Sequence, residues 1–385
     1  MSLPDFVKGN HVTLLHSGTE YFPVLESAIN QARQEIHLET YIFQHDATGN
    51  RIAEALKRAA QRGVAVHLLI DGFGSFSLSR KIIQEMLAAG VQVLIYRPEF
   101  FPFRFKRSRL RRMHRKLAVM DASVAFVGGI NIIDDCHESD ALFPRLDYAV
   151  RIIGPLLREI HAAARRLWML VAWANLKKRW TNYPLVASSN LPAGHQRVSL
   201  VIRDNLRNRR SIERSYLKAI ASARREIIIA NAYFLPGKDF RQALIRAARR
   251  GVSVILLLQG KLEYRLQHYA MHALYGHLLD AGVYIYEYRR GYLHAKVAVI
   301  DGFWSTVGSS NIDPFSLLLA REANVIILDR TFATELQSSL QRKLAVSYPV
   351  LQRAWKKRSR FKRSLNWISY YFIRVVWGLL GYHRD

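Results

Sequence analysis

The chain of 385 residues has a single cysteine, Cys136, which excludes an intramolecular disulfide and fits a reducing compartment. It contains no run of 18 or more uncharged apolar residues, so no transmembrane span is expected. Its first ten residues lack a basic stretch leading into an apolar run, and no secretion signal is expected. Acidic residues are scarce: 30 Asp and Glu stand against 57 Lys and Arg, a net charge of +27. Such a chain seeks polyanions, whether nucleic acid, an anionic membrane or phosphorylated substrates, and charge alone does not choose among them. The composition, 50% hydrophobic and 11% aromatic, is that of a globular protein. The length exceeds one typical core, so two domains or an internal duplication are expected.

The duplication is visible. Ile52, Ala55, Leu56, Ala59 and Ala60 follow the i, i+3, i+4, i+7, i+8 spacing of a core-facing helix, and Phe240, Ala243, Leu244, Ala247 and Ala248 repeat it. Each set ends in Arg-Gly and is followed by an apolar run, 64–70 and 252–258, that suits a strand buried on both faces. Upstream, Ala-Arg-Gln-Glu-Ile (32–36) matches Ala-Arg-Arg-Glu-Ile (223–227), each leading into a β-rich run. Downstream, Gly90 and Gly282 open further strands. Alternating helices and strands predict an α/β fold of two homologous halves with parallel or mixed sheets. The expected halves are 1–175 and 197–350, joined by a polar linker at 176–196 and followed by a basic tail at 351–385.

Both halves carry one constellation. His114-Arg-Lys116 leads to Asp121, then Gly128-Gly129-Ile-Asn131; His294-Ala-Lys296 leads to Asp301, then Gly308-Ser309-Ser310-Asn311. The offset is 180 residues at His, Lys, Asp, the first Gly and Asn. His-x-Lys-x4-Asp is expected by chance in roughly 0.02 places in such a chain, at residue frequencies of about 4%. His and Lys two apart on a strand face the same side. Two halves meeting across a pseudo-twofold seam would gather two imidazoles and two ammonium groups around one pocket. Those groups suit a phosphodiester: a nucleophile, an acid and cations for developing charge. Asn131, Asn311 and Ser310 are candidate donors to phosphate oxygens. No metal-binding carboxylate cluster accompanies the motifs.

The duplicated His-x-Lys-x4-Asp with its Gly-Gly/Ser-x-Asn resembles the signature of the phospholipase D superfamily over most of residues 10–350. Arg112–Lys116, Ala230–Phe234, Gln259-Gly260 and Val307–Pro314 are similar to the bacterial cardiolipin synthases within it. The resemblance implies a phosphatidyltransferase that joins phosphatidylglycerol to a second alcohol-bearing phospholipid and needs no cofactor. It implies that one histidine attacks phosphorus to form a phosphohistidine while the other protonates the leaving alcohol and deprotonates the incoming one. It further implies that the lysines bind phosphate and that the motif aspartates help set the hydrogen-bond network; these roles carry to His114, Lys116, Asp121, His294, Lys296 and Asp301, with His114 favoured as nucleophile. The family also places a carboxylate behind each histidine, and Asp147 and Glu322 stand in comparable places. Such a group would fix the ring's tautomer and stabilise an imidazolium.

Two segments point to a membrane. His114 follows Gly90 by 24 positions, whereas His294 follows Gly282 by 12. The first half's insert, Phe100 to Met113, mixes four phenylalanines with arginines and a lysine and has no acid, which suits an anionic headgroup layer. In the tail, seven cations between Arg353 and Arg363 precede a segment that sets Ile368, Tyr371, Phe372, Val375, Val376 and Leu379 on one helical face. An in-plane helix anchored by Trp367, Tyr370 and Trp377 is expected there, the alternative being a helix packed on the protein. Arg165 to Trp180, with Trp168, Trp173 and Trp180, is a weaker segment of the same kind.

His268, His272 and His277 lack the Glu of a His-Glu-x-x-His site, and no zinc is expected there. Asp71-Gly72-Phe-Gly74 is no dinucleotide fingerprint, so a nucleotide cofactor is not expected. The expected enzyme acts peripherally at the cytoplasmic face of the inner membrane, on anionic phospholipid rather than nucleic acid. A phosphodiesterase or nuclease of the same superfamily and a catalytically idle membrane-binding protein are the competing classes. The acceptor alcohol and the oligomeric state are left open.

Overall fold

A computed structural model describes residues 5–98, 111–135, 143–181, 185–188, 190–204 and 208–379. The first half runs β1 (Val7–His16), α1 (Ser17–Gln31), β2 (Glu35–Thr40), α2 (Ala47–Gln61), β3 (Ala65–Asp71), α3 (Arg80–Ala88), β4 (Gln92–Tyr96), β5 (Leu117–Met120), β6 (Val124–Gly128), β7 (Tyr148–Ile153) and α4 (Leu157–Ala174). The second repeats this order with β8 (Gln196–Arg203), α5 (Ser211–Ser222), β9 (Glu226–Asn231), α6 (Lys238–Arg249), β10 (Ser253–Gln259), α7 (Arg265–Asp280), β11 (Tyr284–Tyr288), β12 (Lys296–Ile300) and β13 (Trp304–Gly308). It adds α8 (Pro314–Leu318) before β14 (Glu322–Leu328) and α9 (Arg330–Leu344). A short β15 (Tyr348–Pro349), α10 (Gln352–Lys356) and α11 (Arg360–Leu379) follow.

The repeated sequence pattern folds as its spacing dictates. α2 buries Ile52, Ala55, Leu56 and Ala59; α6 buries Phe240, Ala243, Leu244 and Ala247. Gly63 and Gly251 leave these helices at φ 88° and 87°, where a side chain would be strained, and the chain turns into β3 and β10. β2, β3 and β4 pair in parallel, as do β9, β10 and β11, while the remaining strands of each half add antiparallel.

The strands form one continuous sheet in the order β15-β11-β10-β9-β12-β13-β14-β8-β1-β7-β6-β5-β2-β3-β4. Apart from β15, the order reads the same outward from the β8–β1 junction in both directions, which is the pseudo-twofold relation. One apolar core joins the halves, with Val119, Val127 and Val150 from the first and Val297, Val307 and Val325 from the second. Two outer cores lie under α1–α3 and under α5–α7.

The tail helix packs on the protein by one face. One face of α11 buries Asn366, Ser369, Tyr370 and Ile373, and Tyr370 and Ile373 join a cluster with Ala270 and Leu274 of α7. The other face leaves Ile368 (65%), Tyr371 (58%), Phe372 (55%) and Val375 (58%) exposed. The apolar stripe is thus presented outward while a second face holds the helix to the protein, so Tyr370 packs on the fold rather than anchoring outward. Among the described residues no helix is long and apolar enough to cross a membrane. Trp168 is buried and stacks on Trp180 at 6.2 Å, which makes that pair core packing; Trp173 alone of the three stays well exposed. The aromatic-basic insert falls largely outside the described residues, as does Cys136.

Candidate active site

The two motif histidines lie at the seam, each held by the other half. His114 N–H donates to the Arg321 carbonyl at 2.9 Å, and Arg321 N–H to the Arg112 carbonyl at 2.7 Å. Symmetrically, His294 N–H donates to the Leu146 carbonyl and Leu146 N–H to the Tyr292 carbonyl, both at 2.8 Å. These small parallel bridges place the residue after each bridge, Glu322 or Asp147, behind the opposite histidine. Nδ1 of His114 lies 3.0 and 3.1 Å from the Glu322 carboxylate oxygens, and Nδ1 of His294 lies 2.6 Å from Asp147 Oδ2. The carboxylates are therefore exchanged: each half completes its partner's histidine.

With Nδ1 engaged by a carboxylate, Nε2 of each ring is the atom left for chemistry. Both rings are buried, and burial pulls both pKa values down, His294 well below the usual imidazole range with Lys296, Arg145 and Lys116 adding to the effect. Lys116 Nζ donates to the carbonyl of His114 at 2.8 Å, and Lys296 Nζ donates to that of His294. Burial lowers these lysines to about 7 and about 8, and raises Asp147 to about 7. Burial is the first cause of each of these shifts, and a phosphodiester anion bound between the lysines would favour their charged forms.

The last residue of the strand behind each motif positions it. Asp71, closing β3, accepts from Met113 N–H at 2.8 Å; Gln259, closing β10, accepts from Leu293 N–H at 3.2 Å. Ser309 Oγ donates to Glu322 Oε2, bracing one dyad. Gly129 is its counterpart, and a Cβ there would sit 2.3 Å from Asp147 Oδ1. Tyr41 packs its ring 4.7 Å from that of His114, with Lys116 Nζ 5.2 Å from the ring centre. The matching place after β9 holds Ala232, a wall of the cavity described below. Ser309 stands within the repeated motif, but its bond to Glu322, the place of Tyr41 and the role of Asp71 are defined by contacts that spacing does not show.

The other expected residues divide. Asn131 and Asn311 stand on the loops leaving β6 and β13 near the histidines. Asn131 Oδ1 accepts from Ile42 N–H at 3.1 Å, and Asn311 Oδ1 is buried without a hydrogen bond among the described residues. Ser310 Oγ turns to the Asn311 carbonyl at 3.2 Å. Asp121 and Asp301 are not brought to the pocket. Each lies seven positions beyond its histidine, about 23 Å along the strand. Asp121 accepts from the N–H groups of Arg33, Gln34 and Glu35, each at 2.8 Å. Asp301 accepts from Arg224, Arg225 and Glu226 at 2.8–3.0 Å. Both sit at positive φ in the turns that end β5 and β12, and each ties its turn to the start of the neighbouring strand, β2 or β9.

A stability phenotype follows. Asp301→Ala should lower stability by on the order of 1–3 kcal/mol through lost charged hydrogen bonds, leaving turnover per folded molecule near wild type. Burial raises the Asp301 pKa, but the three backbone N–H donors and Arg225 outweigh it and hold it low. Its contribution is present above the unfolded carboxylate's pKa and is lost as pH falls through the folded value. Thermal unfolding of both proteins against pH, alongside turnover at neutral pH, checks this; a large drop in turnover without a loss of stability would return Asp301 to the chemistry.

Two α/β halves sharing one sheet, each giving a His–Lys pair to a common seam, define the phospholipase D class of phosphodiester-transfer enzymes. The chain belongs to the cardiolipin synthase family of that class, whose PLD-like domain, "Cardiolipin synthase, PLD-like domain", matches residues 25–141 and 216–344. It is therefore a phosphatidyltransferase. It is 40% identical to cardiolipin synthase B of Escherichia coli K12 over 376 residues, covering 97% of this chain and 90% of the relative. It is 30% identical to the minor cardiolipin synthase ClsB of Bacillus subtilis, covering 94% and 88%. The fold is similar to that of phosphatidylserine synthase from Haemophilus influenzae Rd KW20, with a TM-score of 0.66 at 13% identity, covering 98% and 96% of the chains.

Proposed function

We propose that the enzyme makes cardiolipin from two phosphatidylglycerol molecules through a phosphohistidine. His114 Nε2 attacks phosphorus, the bond from phosphorus to the terminal glycerol breaks, and His294 donates its proton to the departing alkoxide. The hydroxyl of a second phosphatidylglycerol then gives its proton to His294 and attacks phosphorus, releasing His114. One phosphodiester is exchanged for another, with glycerol released and no nucleotide required. Lys116 and Lys296 meet the phosphoryl oxygens, and Glu322 and Asp147 hold the two rings.

The observation that carries the lipid reading is a cavity of about 280 Å³ beside the His294 motif. Gln259, which holds Leu293, lines it together with Tyr233, Phe234, Leu235, Met271 and Phe372. An apolar chamber abutting a phosphodiester site fits an acyl chain, not a nucleotide. The outward face of α11 and the cationic run before it suit an anionic bilayer and support a peripheral position at the cytoplasmic membrane.

Purified protein with phosphatidylglycerol vesicles should yield cardiolipin and glycerol by mass spectrometry, with phosphatidic acid a minor product. In the same vesicles, Ile368→Glu/Tyr371→Glu should sediment less and with greater salt sensitivity. Phosphatidic acid as the main product would make the enzyme a hydrolase. Cleavage of DNA or RNA with the lipids untouched would make it a nuclease, and unchanged sedimentation would remove α11 from membrane docking.

A further inference from the structure

Far from the histidine dyads, the first half buries a second polar cluster. Glu35 and His37 point to the same face of β2, and His67 is the cross-strand neighbour of His37 on β3. His37 Nε2 lies 2.9 Å and His67 Nε2 3.6 Å from Glu35 Oε1, while His161 of α4 puts its Nε2 2.7 Å from Glu35 Oε2. All four side chains are 5% exposed or less. Trp168 covers them, 4.8 Å from the His67 ring.

Three imidazoles converging by the same nitrogen on one carboxylate are not needed by the fold. The matching strand positions of the second half are Ile228 and Ile255, adjacent across β9 and β10 just as His37 and His67 are across β2 and β3. Nor are they needed by the reaction, since Glu35 begins β2 beside Asp121, at the end of the sheet away from His114. The second half keeps the carboxylate as Glu226, bonded by Gln337 of α9, so the feature peculiar to the first half is the two imidazoles in place of isoleucines; burying them is costly unless something compensates.

The geometry says what compensates. Gln92 Oε1 lies 3.1 Å from Nδ1 of His67, and Nε2 of the same ring faces Glu35 Oε1. Two imidazole nitrogens and a carboxylate oxygen facing one another in a buried site make a ligand set for a cation. The ligand atoms of Glu35, His37 and His67 all lie within 4.8 Å of one another. The His67–Gln92 contact is the outer hydrogen bond that metal-bound imidazoles make.

We infer that Glu35, His37 and His67 form a site for a divalent transition ion of the zinc class, with His161 holding the other oxygen of Glu35 and so pinning α4 to β2 and β3 in the first half. Nitrogen-rich and buried, the set matches zinc rather than a hard cation, which prefers oxygen.

Full-length protein purified without chelator should carry about one zinc per chain by elemental analysis. Chelation should lower its melting temperature, one equivalent of zinc should restore it, and cobalt in its place should show the visible absorption of a tetrahedral site. The variant His37→Ile/His67→Ile, which copies the second half, should lose the metal, whereas His268→Gln should keep it. If the double variant does not fold, the zinc and cobalt titrations of the wild-type chain decide alone. Metal below about 0.1 per chain with no thermal response to added zinc would overturn the site. So would loss of metal in His268→Gln with retention in the folded double variant.

Discussion

Alanine at His114 or at His294 should each reduce cardiolipin formation by at least ~10²-fold, because the two rings do different jobs in one pocket and neither can replace the other. The two losses should be separable. A phosphodiester with an activated leaving group, such as a nitrophenyl ester, needs no proton from the enzyme to depart. With His114 as nucleophile, His294→Ala should still release nitrophenol from that ester, while His114→Ala should not. The phosphoenzyme trapped by acid-free quenching should carry its phosphoryl group on a peptide containing His114. The reverse pattern would exchange the two roles, and wild-type activity in either variant would remove that ring from the mechanism.

Glu322→Gln and Asp147→Asn should each lower kcat by on the order of 10²–10⁴, since an amide can neither fix the productive tautomer nor stabilise the imidazolium. The exchange between halves makes the couplings specific. Glu322→Gln should cost little more in a chain that already lacks His114, because the pair acts as a unit, and Asp147→Asn should couple in the same way to His294. Activity measured for the four single variants and the four carboxylate–histidine double variants tests the pairing. Coupling of Glu322 to His294 and of Asp147 to His114 would contradict the geometry. The folded fraction of each variant must be measured alongside, because removing one partner of a buried pair also destabilises.

The quartet of His114, Lys116, His294 and Lys296 at the seam was legible because its residues sit at fixed spacing in a repeated strand, and repetition turns a weak pattern into a strong one. α2, β3, α6 and β10 were legible for the same reason, from apolar periodicity ending in Arg-Gly. What the spacing does not carry is which half supplies which carboxylate. Asp147 and Glu322 are separated from their histidines by 147 and 208 positions, and that pairing depends on how the seam closes. Asp121 and Asp301 show the opposite error. They share the motif's spacing and so look like part of its chemistry, yet a strand of that length carries them away to cap backbone at the far end. The tail's apolar stripe was visible in its periodicity. That Tyr370 and Ile373 would dock on α7 depends on a partner surface that no local pattern encodes.

The exchanged carboxylates also bear on why the two halves are covalently joined. Either half in isolation would hold a histidine without its acid partner, so two are required for one working centre. Two identical chains could meet that requirement, but every side chain on one side of the axis would then be repeated on the other. Covalent fusion lifts that constraint. Tyr41 can set its ring edge to face with His114 and beside the Lys116 ammonium while its counterpart Ala232 leaves space for an apolar chamber. The two sides of a nearly symmetric centre are then free to receive different molecules, one that donates the phosphatidyl group and one that accepts it.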